Sequence, residues 1–436
     1  MKKWFFGLLP FLLLIGCKGK NETVTTPDIN ALAEQYVRLS LVIGQYDEAF
    51  VDAYYGPDSL KPTAPAAAVF PKDSLLNAVR SLKAQFDQIA QIDTLGAEGH
   101  RAAWISDQLI AYDRRIRIFS GEYGLFDDES KDLFGTSAPV FNEHYYQLVV
   151  GKLDSLLPGK GSVADRFQAL ANHFIIPKDK LDTVFRAAIA ECRKRTLQHY
   201  TLPPNEDFKL EFVTGKSWSG YNWYKGNYQS VIQINTDLNI FIDRAIDVGS
   251  HESYPGHHVY NMLLEKNLYR DNGLVELSVY PLFSPQSLIA EGTANYGIEV
   301  VFPGTDKITF AREVLLPLAG LDTTGITLYF NALEVKGKLN YVRNDVGRRL
   351  LSGSMTEEEA LQWLQDYGMN NKETALKSIS FIRNYRSYVI NYNHGMEVMK
   401  SYIERNGGTN PETRWKVFEV LLSGQVRIQD ILEPSK

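Results

Sequence analysis

The sequence has 436 residues, of which 44% are hydrophobic and 22% are charged, so its composition is that of an ordinary globular protein with a large core. The formal net charge is −6, and no long cluster of lysine and arginine occurs. This balance argues against nucleic acid as a partner, because nothing would neutralise a phosphate backbone.

A charged start and a short apolar run predict an export signal at the N-terminus. Lys2 and Lys3 precede an apolar run from Trp4 to Ile15 that is too short to cross a bilayer. The run ends at Gly16-Cys17, which is typical of a bacterial lipobox, where the cysteine takes a diacylglyceryl group. We therefore expect a protein anchored in the cell envelope of a bacterium, facing the periplasm or cell surface, with the outer membrane favoured.

This interpretation divides the chain into a signal peptide at residues 1–16, a tether at 17–27 that begins with the lipidated Cys17, and one large domain at 28–436. The membrane is then a partner through the lipid alone, because no run of eighteen apolar residues follows. A lipidated Cys17 leaves Cys192 without a cysteine to pair with. Its helical surroundings indicate a buried, inert thiol.

After the tether the pattern is mostly helical. Apolar residues recur at three- and four-residue spacing in five segments, which are Asp28–Tyr54, Ser74–Ile92, Glu98–Ser120, Ala138–Leu157 and Lys178–His199. These segments predict a helical lobe over residues 28–205. The remainder, residues 206–436, is then a second lobe that carries the chemical motifs described below.

The pattern changes to that of strands between Phe208 and Asp237. Lys209–Val213 and Tyr228–Ile234 are rich in β-branched and aromatic residues with near-alternating polarity. They predict a small antiparallel sheet of two or three strands. Tyr228–Ile234 either forms an edge strand that pairs with an extended peptide or merely completes the sheet. An aromatic group between the two either lines a cleft or packs in the core: Trp218, Tyr221, Trp223 and Tyr224.

A helix is expected to follow the strands and to lead into the most informative segment of the chain. Thr236 or Asp237 could cap it, and its apolar positions between Leu238 and Val248 share one face. The same pattern runs directly into His251. We therefore expect the polar side chains of His251 and Glu252 at the end of this helix, next to its buried apolar face.

Further helices are predicted toward the C-terminus. Ser284 followed by proline begins a helix at residues 286–301. Thr356 and Glu359 form a capping box for another helix, which Gly368 can close. Leu376–Ile403 has a long helical pattern. The expected fold is mainly α, a two-lobed helical fold with a small antiparallel sheet beside the histidine-rich segment described next.

Three histidines and a glutamate lie within eight residues, in the segment His251-Glu252-Ser253-Tyr254-Pro255-Gly256-His257-His258. The zinc-peptidase pattern H-E-x-x-H places two imidazoles on one helical face, with the glutamate addressing the water. Here the fourth position is Pro255, which cannot bind metal. If Pro255 and Gly256 loop out, His257 returns to the face of His251. In a straight helix His258 would be the second ligand. The Pro-Gly break favours His257 instead, and His258 would then support the ligands or contact the substrate.

A site with two histidines needs a third ligand, for which Glu291 is the best candidate. It lies in a predicted helix with small residues that suit close packing, namely Ala290, Ala294 and Gly297. A carboxylate on such a face is costly unless it is paired or bound to metal. Glu299 is the alternative ligand.

These motifs carry a family resemblance. His251-Glu252-x-x-Pro255-Gly256-His257-His258, with Glu291-Gly292-x-Ala294-x-Tyr296 following, resembles the bacterial domain-of-unknown-function family 885. The usual motifs of that family are H-E-x-x-P-G-H and E-G-W-A-x-Y, and many members are lipoproteins. The resemblance implies a helical fold similar to that of helical zinc carboxypeptidases, and a zinc peptidase activity. By this match His251, His257 and Glu291 bind zinc, and Glu252 is the general base.

A second segment, Tyr392-Asn393-His394-Gly395, resembles a Tyr-x-x-Gly motif near the family's C-terminus. The match also departs from the family pattern in two places. Thr293 replaces the usual Trp, and Arg386-Ser387-Tyr388 stands where Pro-Gly-Gln is common. These departures concern the substrate pocket more than the metal.

The expected function is a zinc-dependent hydrolase, a peptidase of carboxypeptidase or oligopeptidase type. Zn²⁺ would activate a water for attack on a peptide or small amide substrate, while Glu252 transfers the proton. Tyr392, His394 or His258 could stabilise the oxyanion. Two alternatives stay open: a zinc hydrolase of a non-peptide amide or ester, and a non-catalytic substrate-binding lipoprotein. The intact His251-Glu252 pair argues against the second.

The lipid anchor predicts how the protein fractionates. A Cys17→Ser chain lacks the acceptor thiol, so we expect it to leave the membrane fraction and to stop partitioning into detergent, because each buried methylene of the lipid contributes about 0.8 kcal/mol. Globomycin should block processing of the unchanged chain. Cys192→Ala is the control and should fractionate normally. Membrane association of the Cys17→Ser chain would contradict the anchor.

Overall fold

The computed structural model describes residues 1, 28–216 and 218–433 of the chain. The predicted signal peptide, Cys17 and the tether therefore lie outside the described residues. The described part is mainly helical, which confirms the predicted fold class. Within these residues no helix is both long enough and apolar enough to span a membrane.

Nineteen α-helices are present in the described part of the chain. The first ten are α1 (Ile29–Gly44), α2 (Lys72–Ile92), α3 (Ala97–Phe119), α4 (Phe126–Phe134), α5 (Glu143–Leu156), α6 (Val163–Asn172), α7 (Leu181–Thr196), α8 (Ile242–Glu252), α9 (His257–Leu263) and α10 (Pro285–Val301). The others are α11 (Asp306–Phe310), α12 (Leu316–Ala319), α13 (Ile326–Gly337), α14 (Val342–Leu351), α15 (Glu357–Asp366), α16 (Lys372–Tyr385), α17 (Ile390–Gly407), α18 (Pro411–Ser423) and α19 (Ile428–Leu432). The helical segments predicted between residues 74 and 199 correspond to α2, α3, α5 and α7, with ends that differ by a few residues.

Five short strands form two sheets: β1 (Val51–Tyr54), β2 (Asp207–Val213), β3 (Gly220–Tyr224), β4 (Gln229–Asn235) and β5 (Val279–Pro281). β1 pairs with β5 in an antiparallel sheet. The helix predicted over Asp28–Tyr54 therefore ends early, at Gly44. The reason is that the second part of this segment finds backbone partners far along the chain. Phe50, for example, accepts the backbone N–H of Leu282 at 2.9 Å.

The second sheet has the order β2-β4-β3 and is mixed, not purely antiparallel as predicted. β3 runs antiparallel to β4, but β2 runs parallel to it. The connection after β2 crosses the end of the sheet, so the later β3–β4 hairpin places β4 in the middle. Asn235 holds this connection, since its side-chain amide donates to the carbonyls of Lys216 at 2.9 Å and Trp218 at 3.0 Å. Both edges of β4 are paired, so Tyr228–Ile234 completes the sheet, and the alternative in which it is an edge strand for peptide binding is wrong.

Two helix boundaries also differ from the predicted ones. α8 begins at Ile242, and neither Thr236 nor Asp237 caps it. The Asp237 carboxylate instead accepts the backbone N–H of Gly215 at 2.9 Å, which closes the end of the sheet. The segment Leu376–Ile403 is not one helix, because the chain breaks at Arg386, where φ is +50°.

Arg386 itself is held in place by a buried ion pair. Its guanidinium donates to both carboxylate oxygens of Glu129 in α4, at 2.7 and 2.9 Å. A bidentate pair of this kind fixes geometry as well as contributing energy. It therefore anchors the junction between α16 and α17, and α17 packs against α10.

The capping box at the start of α15 offers a test of local helix stability. The hydroxyl of Thr356 accepts the backbone N–H of Glu359, and the Glu359 carboxylate accepts the N–H of Thr356. We expect Thr356→Ala to lower the free energy of unfolding by about 1 kcal/mol. Urea unfolding followed by circular dichroism would measure the change. Glu358→Ala is the control, because Glu358 is exposed in the same turn without a capping contact, and an equal loss there would contradict the capping role.

Candidate metal centre

The two imidazoles predicted to share a metal lie next to each other. α8 ends at Glu252 and α9 begins at His257, so only four residues separate the helices. The Nε2 atoms of His251 and His257 are 3.1 Å apart. This fold-back requires glycine at position 256, because a Cβ there would lie 1.9 Å from the carbonyl oxygen of His251.

The residues of the fold-back are anchored on two sides. The hydroxyl of Tyr254 donates to Glu206 at 2.5 Å. Pro255 packs against Gly297 of α10, where a Cβ would lie only 3.1 Å from the proline ring. The small residue predicted to permit close helix packing therefore contacts the Pro-Gly insertion itself.

Glu291 on α10 completes the cluster. Its Oε2 lies 3.4 Å from Nε2 of His251 and 3.8 Å from Nε2 of His257. Potential ligand atoms of the three residues all lie within 4.8 Å of one another. Oε1 accepts a hydrogen bond from Tyr388 at 3.0 Å, whereas Oε2 is buried and has no hydrogen-bond partner among the described residues. A buried, unpartnered carboxylate oxygen facing two imidazoles fits a bound cation.

The electrostatics of the cluster suit metal binding by His257 and Glu291, whereas at His251 the charges of Glu252 and Glu291 outweigh burial and raise the pKa of the imidazole. Burial lowers the pKa of His257 to about 4, and the charge of His251 adds to this, so His257 is neutral at physiological pH. Burial acts to raise the pKa of Glu291, but the neighbouring His251 and His257 outweigh it and hold that pKa below its ordinary value. A neutral imidazole and an ionised carboxylate are the forms that bind metal.

Glu252 lies beside the cluster but not in it. Its Oε1 is 4.0 Å from Nε2 of His251, and burial raises the pKa of its carboxyl to about 7. The strand β3 makes room for this side chain, because a Cβ at Gly220 would lie 3.0 Å from Oε1 of Glu252. β3 also holds the backbone, since the Asn222 amide donates to the Glu252 carbonyl at 2.6 Å. A carboxylate poised near pH 7 is suited to proton transfer.

His258 does not face the cluster, and the prediction that it could contact substrate requires correction. The side chain is fully buried. Its Nδ1 lies 2.7 Å from the Ser230 hydroxyl, and its Nε2 lies 3.1 Å from Glu206. Both ring nitrogens are therefore engaged in the core. The bend between the two helices turns His258 toward the sheet. A straight helix would instead have placed it on the face of His251.

Of the other predicted residues, only Tyr392 lies near the cluster. It is 37% exposed, its ring packs edge-on against Tyr388, and the charges of Glu291 and Glu252 reinforce the rise of its pKa on burial. His394 contacts Thr136 at 3.3 Å, and no contact joins it to the described cluster residues. Glu299, the alternative ligand, forms an ion pair with Lys307.

Two side chains at the site were not predicted. Tyr388, the hydrogen-bond donor to Glu291, lies in the segment that departs from the family pattern. It precedes Tyr392 by one helical turn, and this spacing was the available signal. Asp52 of β1 accepts a hydrogen bond from Tyr221, and burial raises its pKa to about 6, with the charge of Glu291 contributing. No sequence signal points to Asp52, because the apolar spacing of residues 28–54 predicts a helix where β1 forms.

Two glycines bring α17 against α10. A Cβ at Gly292 would lie 2.5 Å from the carbonyl oxygen of Gly395, and one at Gly395 would lie 3.0 Å from the carbonyl of Leu288. Because glycine has no Cβ, the backbones of α10 and α17 come into direct contact here. This contact joins the two predicted motifs and places Tyr388 and Tyr392 beside Glu291.

The fold and the cluster together define a class: a mainly helical protein with a partly buried His/His/Glu group able to hold a metal ion. No protein-family model matches the sequence, and no curated protein matches it.

Solved structures give likenesses of fold. A candidate lipoprotein from Colwellia psychrerythraea is 15% identical with a TM-score of 0.52, over 83% of this chain and 68% of the other. A candidate lipoprotein of unknown function from Shewanella oneidensis is 12% identical, with a TM-score of 0.46, over 83% and 72%. Metallocarboxypeptidase 1 of Trypanosoma cruzi is 9% identical, with a TM-score of 0.46, over 93% and 94%.

The contact between α10 and α17 predicts a site where a single methyl group is costly. Gly292→Ala forces two backbones apart, so we expect the free energy of unfolding to fall by about 1–3 kcal/mol. Gly151→Ala is a matched control in the exposed middle of α5, where a Cβ would meet nothing within 4 Å. That change should instead stabilise the protein, by about 0.5–1 kcal/mol. Equal effects of both substitutions in urea unfolding would contradict the close contact.

Proposed function

We propose that this protein is a zinc-dependent hydrolase, most specifically a peptidase of carboxypeptidase or oligopeptidase type. The observation that carries the proposal is the group formed by His251, His257 and Glu291, whose candidate ligand atoms lie within 4.8 Å of one another and include an unpartnered buried carboxylate oxygen. Two imidazoles and one carboxylate are a donor set that catalytic zinc sites use, with a position left for water.

His251, His257 and Glu291 would hold the ion. When bound, zinc supplies Lewis acidity that activates water and polarises a carbonyl. Tyr388 orients Glu291 through its hydrogen bond to Oε1 and leaves Oε2 free to face the imidazoles.

Glu252 moves the proton in this proposal. Its carboxylate accepts the proton of the attacking water and delivers it to the leaving amine. Asn222 and Gly220 position it, one by its hydrogen bond to the backbone and the other by leaving space. Tyr392 is the donor best placed to stabilise the developing oxyanion, a contribution of roughly 3–4 kcal/mol in known sites.

The cellular setting belongs to the same proposal. The chain is a member of the domain-of-unknown-function family 885 and a bacterial cell-envelope protein anchored by lipid on Cys17. The motifs at His251 and Glu291 and the Gly16-Cys17 sequence support this. The description of the Colwellia psychrerythraea structure as a candidate lipoprotein agrees with it.

Metal analysis of purified variants tests the proposal. We expect about one zinc per chain, lost in His251→Ala and in His257→Ala, because each removes one of three ligands. Glu291→Gln should weaken binding, since a neutral amide is a poorer ligand. Glu252→Gln should keep the metal and abolish cleavage of a peptide mixture followed by mass spectrometry.

Glu299→Gln is the matched control for Glu291→Gln, because it lies on the same helix and forms a surface ion pair. It should retain both zinc and activity. Stoichiometric zinc in His257→Ala would contradict the assignment of His257 as a ligand. Cleavage of amides or esters but of no peptide would leave the zinc hydrolase and reject the peptidase.

A further inference from the structure

The strand β3 has one face in the core and one face toward solvent. Side chains alternate between the two faces of a strand, and those of Asn222 and Tyr224 are buried. On the other face Trp223 is 36% exposed and Tyr221 is partly exposed. The neighbouring strand β4 shows the same alternation of buried and partly exposed residues. Of the aromatic residues whose place the sequence left open, Tyr224 therefore packs in the core.

The other three aromatic residues form a continuous strip of rings. The ring centroids of Tyr221 and Trp223 are 4.5 Å apart, and those of Trp218 and Tyr221 are 5.6 Å apart. The Lys225 ammonium lies 5.3 Å from the centre of the Trp223 ring and borders the strip. Grouped apolar surface of this kind marks a binding site more often than single exposed residues do. Trp218, Tyr221 and Trp223 are called the aromatic strip below.

The aromatic strip offers ring faces more than hydrogen bonds. The indole N–H of Trp223 donates to Gln233 at 3.0 Å, and the hydroxyl of Tyr221 donates to Asp52. These two polar atoms are therefore engaged within the protein, while the rings stay accessible. Such ring faces favour apolar and aromatic groups. A sugar would also need donors and acceptors, which Tyr221 and Trp223 no longer supply.

The same strand leads to the candidate metal centre. A Cβ at Gly220, next to Tyr221, would lie 3.0 Å from Oε1 of Glu252. Asp52, which accepts the hydrogen bond of Tyr221, lies on β1, and β1 pairs with β5. The helix α10, which carries Glu291, begins four residues after β5 ends. The aromatic strip therefore starts beside the general base of the proposed mechanism and continues along β3 to the surface.

We propose that the aromatic strip binds a large apolar side chain of a peptide substrate, close to the bond that is cleaved. This inference rests on the proposed hydrolase function and names its substrate class. Trp223 lies three residues from Gly220, which is about 10 Å along a strand, and an extended peptide spans roughly 3.3–3.6 Å per residue. The side chain that the strip binds therefore belongs to a residue within about three positions of the cleaved bond.

Cleavage of matched peptides tests the strip. Peptides of one sequence carry either phenylalanine or alanine at each position within three residues of the cleaved bond. We expect phenylalanine at one of these positions to raise kcat/KM about tenfold or more, because a large apolar group gains contact with the rings. In Trp223→Ala this ratio should fall toward one with zinc content unchanged, whereas Trp223→Phe, which keeps a ring, should retain most of it.

Leu148→Ala is the control, because it removes an exposed apolar side chain from α5. It should keep the preference for phenylalanine. If the unchanged protein cleaves the peptides without preference at any of these positions, the strip has no role in specificity and the hydrolase still stands. A preference that survives in Trp223→Ala would likewise overturn the proposal.

A binding measurement separates the strip from catalysis. In the metal-free protein, a blocked alanine-rich peptide with one 4-nitrophenylalanine should quench tryptophan fluorescence to saturation, because the nitrophenyl group accepts excitation from a nearby indole. Trp218→Phe and Trp223→Phe should each remove part of this quenching, and Leu148→Ala should not. Saturable quenching without zinc or cleavage would support the strip while the proposed hydrolase failed.

Competition against the same peptide identifies the chemistry that the strip takes. N-acetylphenylalanine amide should displace the peptide at a concentration at least about tenfold below that needed for N-acetylalanine amide. If methyl β-glucoside displaces it as well as N-acetylphenylalanine amide does, the strip binds sugar rings and the assignment to an apolar side chain is wrong. Absence of saturable quenching in the unchanged protein would also overturn it.

Discussion

The return of the chain between α8 and α9 decides whether the two imidazoles can meet, and it depends on a contact that only glycine permits. Gly256 lies directly on the carbonyl of His251, where any Cβ would clash. Tyr254 ties the same four residues to Glu206, and Pro255 packs on Gly297 of α10. The spacing of His251 and His257 is thus set by packing in several directions, as a preorganised metal site requires.

A buried polar network connects this return to the sheet. Glu206 accepts hydrogen bonds from Tyr254 and Arg193 and lies 3.1 Å from His258. Although burial opposes it, these contacts lower the pKa of Glu206 to about 2, so a buried charge is fully paired. From His258 the network continues through Ser230 and Asn222 to the backbone of Glu252. The sheet therefore supports the backbone of Glu252, which is the general base in the proposed mechanism.

Acidic groups gather around the candidate metal position. Burial raises the pKa of Asp52 to about 6 and that of Glu252 to about 7, and the charge of Glu291 contributes to both shifts. A cation at this position would relieve the repulsion among the three carboxylates. Glu291 also acts on the hydroxyl of Tyr392, where the charge of Arg343 opposes it.

The sequence by itself determined the mainly helical fold, the capping box at Thr356 and the candidates His251, Glu252, His257 and Glu291. These depend on short-range periodicity, capping chemistry and the motif around Pro255-Gly256, which are local properties of the chain. The tertiary structure alone decided that His258 turns into the core, that β4 lies inside its sheet, and that Tyr388 and Asp52 belong to the site. His258, Tyr388 and Asp52 depend on partners more than 25 residues away in the chain, such as Ser230 for His258 and Glu291 for Tyr388, and β4 depends on β2, 22 residues away. Loop crossings and close helix contacts choose such partners, so the local pattern offers at most the one-turn spacing of Tyr388 and Tyr392.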